Sequence, residues 1–84
     1  MRIKLVEIHP GEILLEEFMK PLALTIKQLA ADIDVTPWQI IEIINNRNPI
    51  TANLAIKLGL FFSVEPKFWI NLQAEYNFRQ ALEM

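Results

Sequence analysis

The side chains best suited to contact a ligand lie on one face of a short predicted helix that follows Thr36. Helical spacing that places Ile40 at the centre of the buried face turns the opposite face outward. That outward face carries Trp38, Glu42 and Asn45, with Gln39 and Ile41 on its flanks. In a helix-turn-helix, such a face enters the major groove of DNA from its N-terminal end and reads base edges. The pattern therefore indicates DNA binding.

Two short helices joined by a tight turn, within residues 26–46, are predicted to hold this face in place. Apolar residues recur on each helix at i, i+3, i+4 spacing; they are Leu29, Ala30 and Ile33 on the first and Ile40, Ile43 and Ile44 on the second. Ala30 is the small residue at the expected crossing, where it lets two backbones approach at roughly 90–120°. The unit is predicted to be a helix-turn-helix.

Local signals mark the ends of both helices. Thr25 and Thr36 are suitable N-caps, because a threonine hydroxyl accepts from a free backbone N–H of the first turn. Pro37 fits the first turn of the second helix, where a missing N–H costs nothing. The turn requires a left-handed residue at Asp34, and Asn46 is expected to adopt the same conformation after the second helix.

A further helix is predicted before this unit. It begins at His9 and Pro10. It is expected to end near Lys20, because a proline disfavours the helical conformation of the residue before it. Its predicted inward residues, together with those of the loop that follows, are Ile13, Leu14, Phe18, Leu22 and Leu24. Residues 1–8 alternate weakly between apolar and polar types and are predicted to be extended, as a short edge strand.

Two helices follow, which makes residues 1–84 one all-α domain of five helices. The fourth begins after Thr51, ends near Gly59 or shortly after it, and buries Leu54, Ala55 and Leu58. The last begins at Pro66 and is apolar on more than one side, with Trp69, Leu72 and Tyr76 on its inward stripe. Because 84 residues with 52% hydrophobic content cannot bury so much apolar surface alone, we expect a homodimer or partner contact through Phe78 and Leu82.

Composition excludes several classes of function. The chain has no cysteine and a single histidine, His9, so no second ligand is at hand for a metal site, and His9 is read as a polar residue at a helix start. The sequence contains no nucleophile–base pair and no phosphate-binding glycine loop, so we expect neither an enzyme nor a cofactor. It has no apolar run of ~20 residues, which predicts a cytoplasmic protein without a membrane span.

A net charge of −2 makes DNA affinity weak for one monomer and favours a dimer.

Three segments carry a family resemblance. They are HPGEILLEEFMKPLALT before the helix-turn-helix and ITANLAIKLGLFF and PKFWINLQAEYNFR after it. Over residues 9–79 the chain resembles the HigA antitoxins, or VapI-type addiction-module antidotes, of the Cro/repressor-like group. The resemblance implies a five-helix, lambda-repressor-like domain that dimerises and represses its own operon at an inverted repeat of operator DNA. It also implies neutralisation of a RelE-like mRNA-cleaving toxin encoded beside it.

The resemblance implies roles for individual residues as well. Trp38, Gln39 and Ile41 match positions that read bases, Gln28 and Thr36 match helix starts that contact the backbone, and Arg47 matches a basic loop residue. To these we add Asn45 as a base contact and Thr25 and Lys27 as phosphate contacts.

The chain departs from the family pattern at several of these positions. Trp38 and Ile41 stand where small or polar residues are usual, and Asp34 and Asn46 replace glycines. An indole and an isoleucine touch thymine methyls but make no bidentate hydrogen bonds to bases. A second function therefore stays open, a protein-interaction module of the same fold with little or no DNA affinity, which Glu42 and the acidic balance favour.

Overall fold

The computed structural model describes residues 8–83, and within them the chain forms five helices and no strand. The helices are α1 (Pro10–Ile13), α2 (Ile26–Asp32), α3 (Pro37–Ile44), α4 (Ala52–Phe62) and α5 (Pro66–Leu82), and α1 continues directly as a π-helical segment (Leu14–Met19). The all-α prediction with five helices is confirmed. The edge strand predicted at residues 1–8 lies outside the described residues except for Ile8, which belongs to no helix or strand.

The first helical region begins and ends where the sequence predicts. Pro10 occupies its first turn, and its last helical residue is Met19, with Lys20 as the C-cap directly before Pro21. Its second half differs from a regular α-helix, because the Lys20 N–H donates to the Leu15 carbonyl oxygen, five residues back, over 2.9 Å.

The prediction that Leu22 faces the core is wrong. The chain turns at residues 20–23, where Ala23 is left-handed with φ 55°. This turn carries Leu22 outward, and its side chain is 62% exposed. Met19, just before the turn, is buried instead, whereas Leu14 is buried as predicted.

The core draws on every helix. Its largest fully buried side chains are Leu14, Met19, Leu29, Ile40, Leu58 and Trp69. Phe18 and Phe62 lie against Trp69, with ring centroids 4.7 and 6.2 Å from the indole. Because Trp69 belongs to α5 and Phe18 to the first helical region, these aromatic contacts join the first and last helices.

Helix α4 continues past Gly59 to Phe62 and ends where Ser63 adopts a left-handed conformation with φ 58°. Gly59 does not end the helix but allows close packing, since a Cβ at this position would lie 2.6 Å from the Val64 carbonyl oxygen. The same Cβ would lie 3.1 Å from the Pro66 ring. The glycine therefore marks the close approach of α4 to the start of α5.

Candidate nucleic-acid interface

Helices α2 and α3 form the predicted helix-turn-helix. Asp34 in the turn is left-handed with φ 59°, as predicted. The Val35 N–H donates to the Ala30 carbonyl oxygen over 2.9 Å and closes the turn. Ala30 is buried, in agreement with its predicted place at the helix crossing. The inward residues of both helices are buried or half-buried, so the orientation of α3 is fixed by the core.

The outward side of α3, hereafter the recognition helix, carries a mixed set of side chains. We call Trp38, Gln39, Ile41, Glu42 and Asn45 the readout face. Trp38 is 61% exposed, and Gln39 and Asn45 are also exposed. Ile41 and Glu42 are half-buried. The periodicity therefore predicted the exposure of Trp38 and Asn45, whereas Glu42, also predicted to face outward, is half-buried.

Each helix of the unit begins with a capping box. The Thr25 hydroxyl accepts from the Gln28 N–H (3.0 Å), and the Gln28 amide oxygen accepts from the Thr25 N–H (2.9 Å). Thr36 and Gln39 repeat the arrangement at 3.2 and 3.0 Å. Sequence reasoning identified both threonines as caps but missed the glutamines, although the T-x-x-Q spacing occurs twice, at residues 25–28 and 36–39.

The capping box limits what Gln39 can offer DNA. Its Oε1 accepts from the Thr36 N–H at 3.0 Å and lies 3.3 Å from the Thr36 hydroxyl. Bidentate recognition of adenine needs the amide oxygen and the amide nitrogen of one side chain together. While the box is closed, the Gln39 Nε2 donor stays free, but the donor–acceptor pair that would match adenine does not.

The loop after the recognition helix is held by backbone contacts. Asn46 is left-handed with φ 59°, as predicted. The Arg47 and Asn48 N–H groups both donate to the Glu42 carbonyl oxygen, over 2.8 and 3.3 Å. The Asn48 Nδ2 also lies 3.4 Å from a Glu42 carboxylate oxygen. These bonds place the exposed Arg47 directly after the readout face.

Lys57, on α4, supports the turn of the helix-turn-helix and was missed from the sequence. Its Nζ donates to the carbonyl oxygens of Ile33 and Asp34, over 3.2 and 3.4 Å. Carbonyls at a helix C-terminus lack intrahelical partners and carry partial negative charge, so a cation there is stabilising. Nothing in the spacing of the sequence distinguishes Lys57 from a solvent-exposed lysine.

The predicted phosphate contacts fall at three places. Thr25, Lys27 and Gln28 lie at the start of α2, Thr36 lies at the start of α3, and Arg47 lies in the loop after it. All five are exposed. The two threonines and Gln28 have capping bonds, whereas Lys27 and Arg47 bring the positive charge of this set.

The start of α1 packs against the end of the recognition helix. Gly11 is buried there, and a Cβ on it would overlap the carbonyl group of Ile43. His9, which precedes α1, lies edge-on to the Tyr76 ring with centroids 6.2 Å apart. Its Nδ1 is buried without a hydrogen-bond partner. Burial lowers the pKa of His9 below its ordinary value, and the nearby Glu12 carboxylate opposes that shift.

Within residues 8–83, no group of three or more His, Cys, Asp or Glu side chains is placed to hold a metal ion. No helix of this part of the chain is long and apolar enough to cross a membrane.

The helix-turn-helix family matches residues 15–69 of the chain. Virulence-associated protein I of Dichelobacter nodosus is 40% identical over 74 residues, which are 88% of this chain and 68% of that protein. Antitoxin HigA-1 of Vibrio cholerae is 38% identical over 66 residues, which are 79% of this chain and 62% of that protein. The chain therefore spans about two thirds of the length of both relatives.

Among solved structures, the chain is similar to the Pseudomonas aeruginosa antitoxin HigA with the higBA promoter. The TM-score is 0.86 and the sequence identity 38%, over 88% of this chain and 80% of that chain. The described fold is thus that of a helix-turn-helix antitoxin solved together with promoter DNA.

Proposed function

We propose that this chain, which belongs to the HigA- and VapI-type antitoxins of the helix-turn-helix family, is the antitoxin of a type II toxin–antitoxin module. It binds an inverted-repeat operator as a homodimer and represses its own operon. It also neutralises a RelE-like, mRNA-cleaving toxin. The observation that carries the proposal is the exposed readout face on a capped recognition helix, in a fold whose relatives include a HigA solved with promoter DNA.

We divide the residues of the site into two groups. Trp38, Gln39, Ile41 and Asn45 meet base edges, and Thr25, Lys27, Gln28, Thr36 and Arg47 meet phosphates. Phosphate contacts set affinity and register, whereas base contacts set sequence preference. Because only Lys27 and Arg47 among these nine residues are positively charged, the electrostatic affinity of one protomer is low.

A homodimer supplies the missing affinity by engaging two half-sites at once. Phe78 and Leu82 on α5 are 61% and 69% exposed. They are four positions apart on one helix, so they lie on one face and form an apolar strip. We assign this strip to the subunit or partner contact.

A second function, a protein-interaction module that no longer binds DNA, is favoured by the net charge of −2 and by the exposure of Trp38. A large exposed aromatic residue is a common anchor of protein interfaces, where its truncation costs ~2 kcal/mol or more. In that case the readout face meets the toxin and not DNA.

Gel-shift titration tests DNA binding directly. The probe is the DNA immediately upstream of the protein's own gene, with a scrambled duplex of equal length as control. We expect a complex with the upstream DNA that weakens steeply as salt rises, because counterions are released from phosphates. Equal affinity for both duplexes would contradict operator recognition.

Trp38→Ala separates the two functions, because the residue is exposed and its truncation leaves the core intact. The affinity of this variant for the upstream DNA and for the toxin encoded by the adjoining reading frame should be measured side by side. We expect DNA binding to fall and toxin binding to survive. Loss of toxin binding with unchanged DNA binding would establish the interaction module instead.

A further inference from the structure

The part of the readout face that precedes the exposed Asn45 has more free apolar surface than free hydrogen-bonding capacity. Gln39 has its amide oxygen in the capping box, and the Glu42 carboxylate is within 3.4 Å of the Asn48 amide. Trp38, in contrast, is 61% exposed, and the half-buried Ile41 lies three residues further along the same helix. Residues three apart on a helix are neighbours, so the indole and the isoleucine present one continuous apolar surface.

The major groove offers one apolar group for such a surface, the C5-methyl of a pyrimidine. Thymine carries this methyl, and 5-methylcytosine carries it at the same ring position. We propose that Trp38 and Ile41 form a methyl-reading pair, which recognises a 5-methylpyrimidine in each operator half-site. This inference rests on the proposed DNA binding and names the base chemistry that the same face selects.

The hydrogen-bonding group of the Trp38 indole cannot distinguish bases as methyl contact does. The indole has one N–H donor and no acceptor, so it cannot make a bidentate contact with a base. A lone donor fits guanine N7 or O6, adenine N7 and thymine O4 equally well, so it discriminates weakly. Methyl contact therefore has to provide the discrimination at the N-terminal end of the recognition helix.

The experiment begins with selection of the preferred site from a random duplex library by the full-length protein. Each thymine of the selected site is then replaced by uracil, which removes the methyl and keeps the O4 acceptor. Burial of one methyl-sized group changes affinity about fourfold. We expect one or two positions in each half-site to lose about fourfold on replacement, and thymines outside the half-sites to show no change.

A second arm identifies the source of the methyl. At each sensitive position, duplexes with cytosine and with 5-methylcytosine are compared with the thymine duplex. The methyl-reading pair requires 5-methylcytosine to bind about fourfold tighter than cytosine. Tighter binding of the thymine duplex makes thymine the natural target, whereas tighter binding of the 5-methylcytosine duplex makes the modified base the target.

Two variants assign the effect to the residues. In Trp38→Ala the penalty for uracil should shrink to less than twofold at the sensitive positions, while the thermal unfolding temperature stays unchanged. In the control Gln39→Ala the fourfold penalty for uracil should remain, because the methyl contact is intact.

These measurements distinguish failure of the methyl-reading pair from failure of the proposed DNA binding. Specific binding without a penalty above 1.5-fold for uracil at any position would overturn the methyl-reading pair and leave the DNA-binding proposal standing. A penalty that is as large in Trp38→Ala as in the unmodified protein would assign the methyl contact to other residues. Failure of the protein to enrich any sequence would overturn both proposals.

Discussion

Asn46 and Tyr76 join the end of the recognition helix to α5. The Asn46 Nδ2 donates to the Tyr76 phenol oxygen over 2.7 Å, between residues that are 30 apart in the sequence. Asn46 is also the left-handed residue after the recognition helix, with φ 59°. The contact therefore ties the loop that carries Arg47 to the helix that carries the proposed subunit contact.

Tyr76→Phe removes this hydrogen bond and keeps the ring. We expect the free energy of unfolding, measured by urea titration, to fall by about 1 kcal/mol, the usual net contribution of one hydrogen bond. The control is the same substitution in an Asn46→Gly background, where the bond is already absent. An equal loss in both backgrounds would mean that the tyrosine acts through packing and not through Asn46.

Ala23→Gly should stabilise the protein, because Ala23 is left-handed with φ 55°. The left-handed conformation costs an L-residue about 1–2 kcal/mol, while glycine adds about 0.4–1 kcal/mol of unfolded-state entropy. The expected net gain is a rise of up to about 1.6 kcal/mol in the free energy of unfolding. The matched control Ala31→Gly, exposed within α2, should instead lose about 1 kcal/mol.

His9→Gln should change how stability depends on pH. Burial lowers the pKa of the folded His9 below 6.5, so the unfolded chain takes up a proton first as the pH falls. The free energy of unfolding therefore falls as the pH drops below about 6.5, and it stops falling once the pH is below the lowered pKa of the folded protein. Unfolding curves between pH 7.5 and 5 should show a smaller loss of stability in His9→Gln.

The neighbour Glu12 provides the control for that prediction. Its carboxylate opposes the lowering of the His9 pKa. Glu12→Gln should therefore lower the His9 pKa further and steepen the loss of stability on acidification. A shallower loss in Glu12→Gln would contradict the assignment of the pH dependence to His9.

Gln39→Glu separates capping from DNA reading. A glutamate at this position still accepts from the Thr36 N–H and suits a helix N-terminus, so we expect an unchanged free energy of unfolding. It lacks the Nε2 donor, however, and it adds a negative charge. Operator affinity should fall at least tenfold, a loss of about 1.4 kcal/mol.

Gln28→Ala and Gln39→Ala form a matched pair, because each removes the same capping contact from one of the two helices. Both should lose about 1 kcal/mol of folding stability. In gel-shift titrations, Gln28→Ala should weaken binding equally on operator and scrambled DNA. Gln39→Ala should also reduce the ratio of operator to scrambled affinity, since we propose that Gln39 meets a base edge. Arg47→Ala is expected to behave like Gln28→Ala.

Phe78→Asp should dissociate the proposed homodimer. A charge at the centre of the apolar strip of Phe78 and Leu82 would be desolvated by dimerisation. Sedimentation equilibrium at micromolar concentration should then show the monomer mass for the variant and the dimer mass for the unmodified protein. The control is Leu60→Asp on α4, where Leu60 is 78% exposed. Dissociation by Leu60→Asp alone would place the contact on α4.

The local features of this protein could be predicted from its sequence. The stripes of α2 and α3, the threonine caps and the left-handed Asp34 and Asn46 depend on residues within about one helical turn. Their physical causes, namely helical periodicity and free backbone N–H groups, are contained in neighbouring residues. The outward orientation of Trp38 followed from the same spacing once Ile40 was placed inside.

Contacts between distant residues were decided only by the tertiary structure. The Asn46–Tyr76 bond, the Lys57 contact with the turn and the burial of Gly11 depend on how α1, α4 and α5 pack against the helix-turn-helix. The exposure of Leu22 is of the same kind. A leucine after a helix has no periodicity that predicts its direction, and here the left-handed backbone at Ala23 turned it towards solvent.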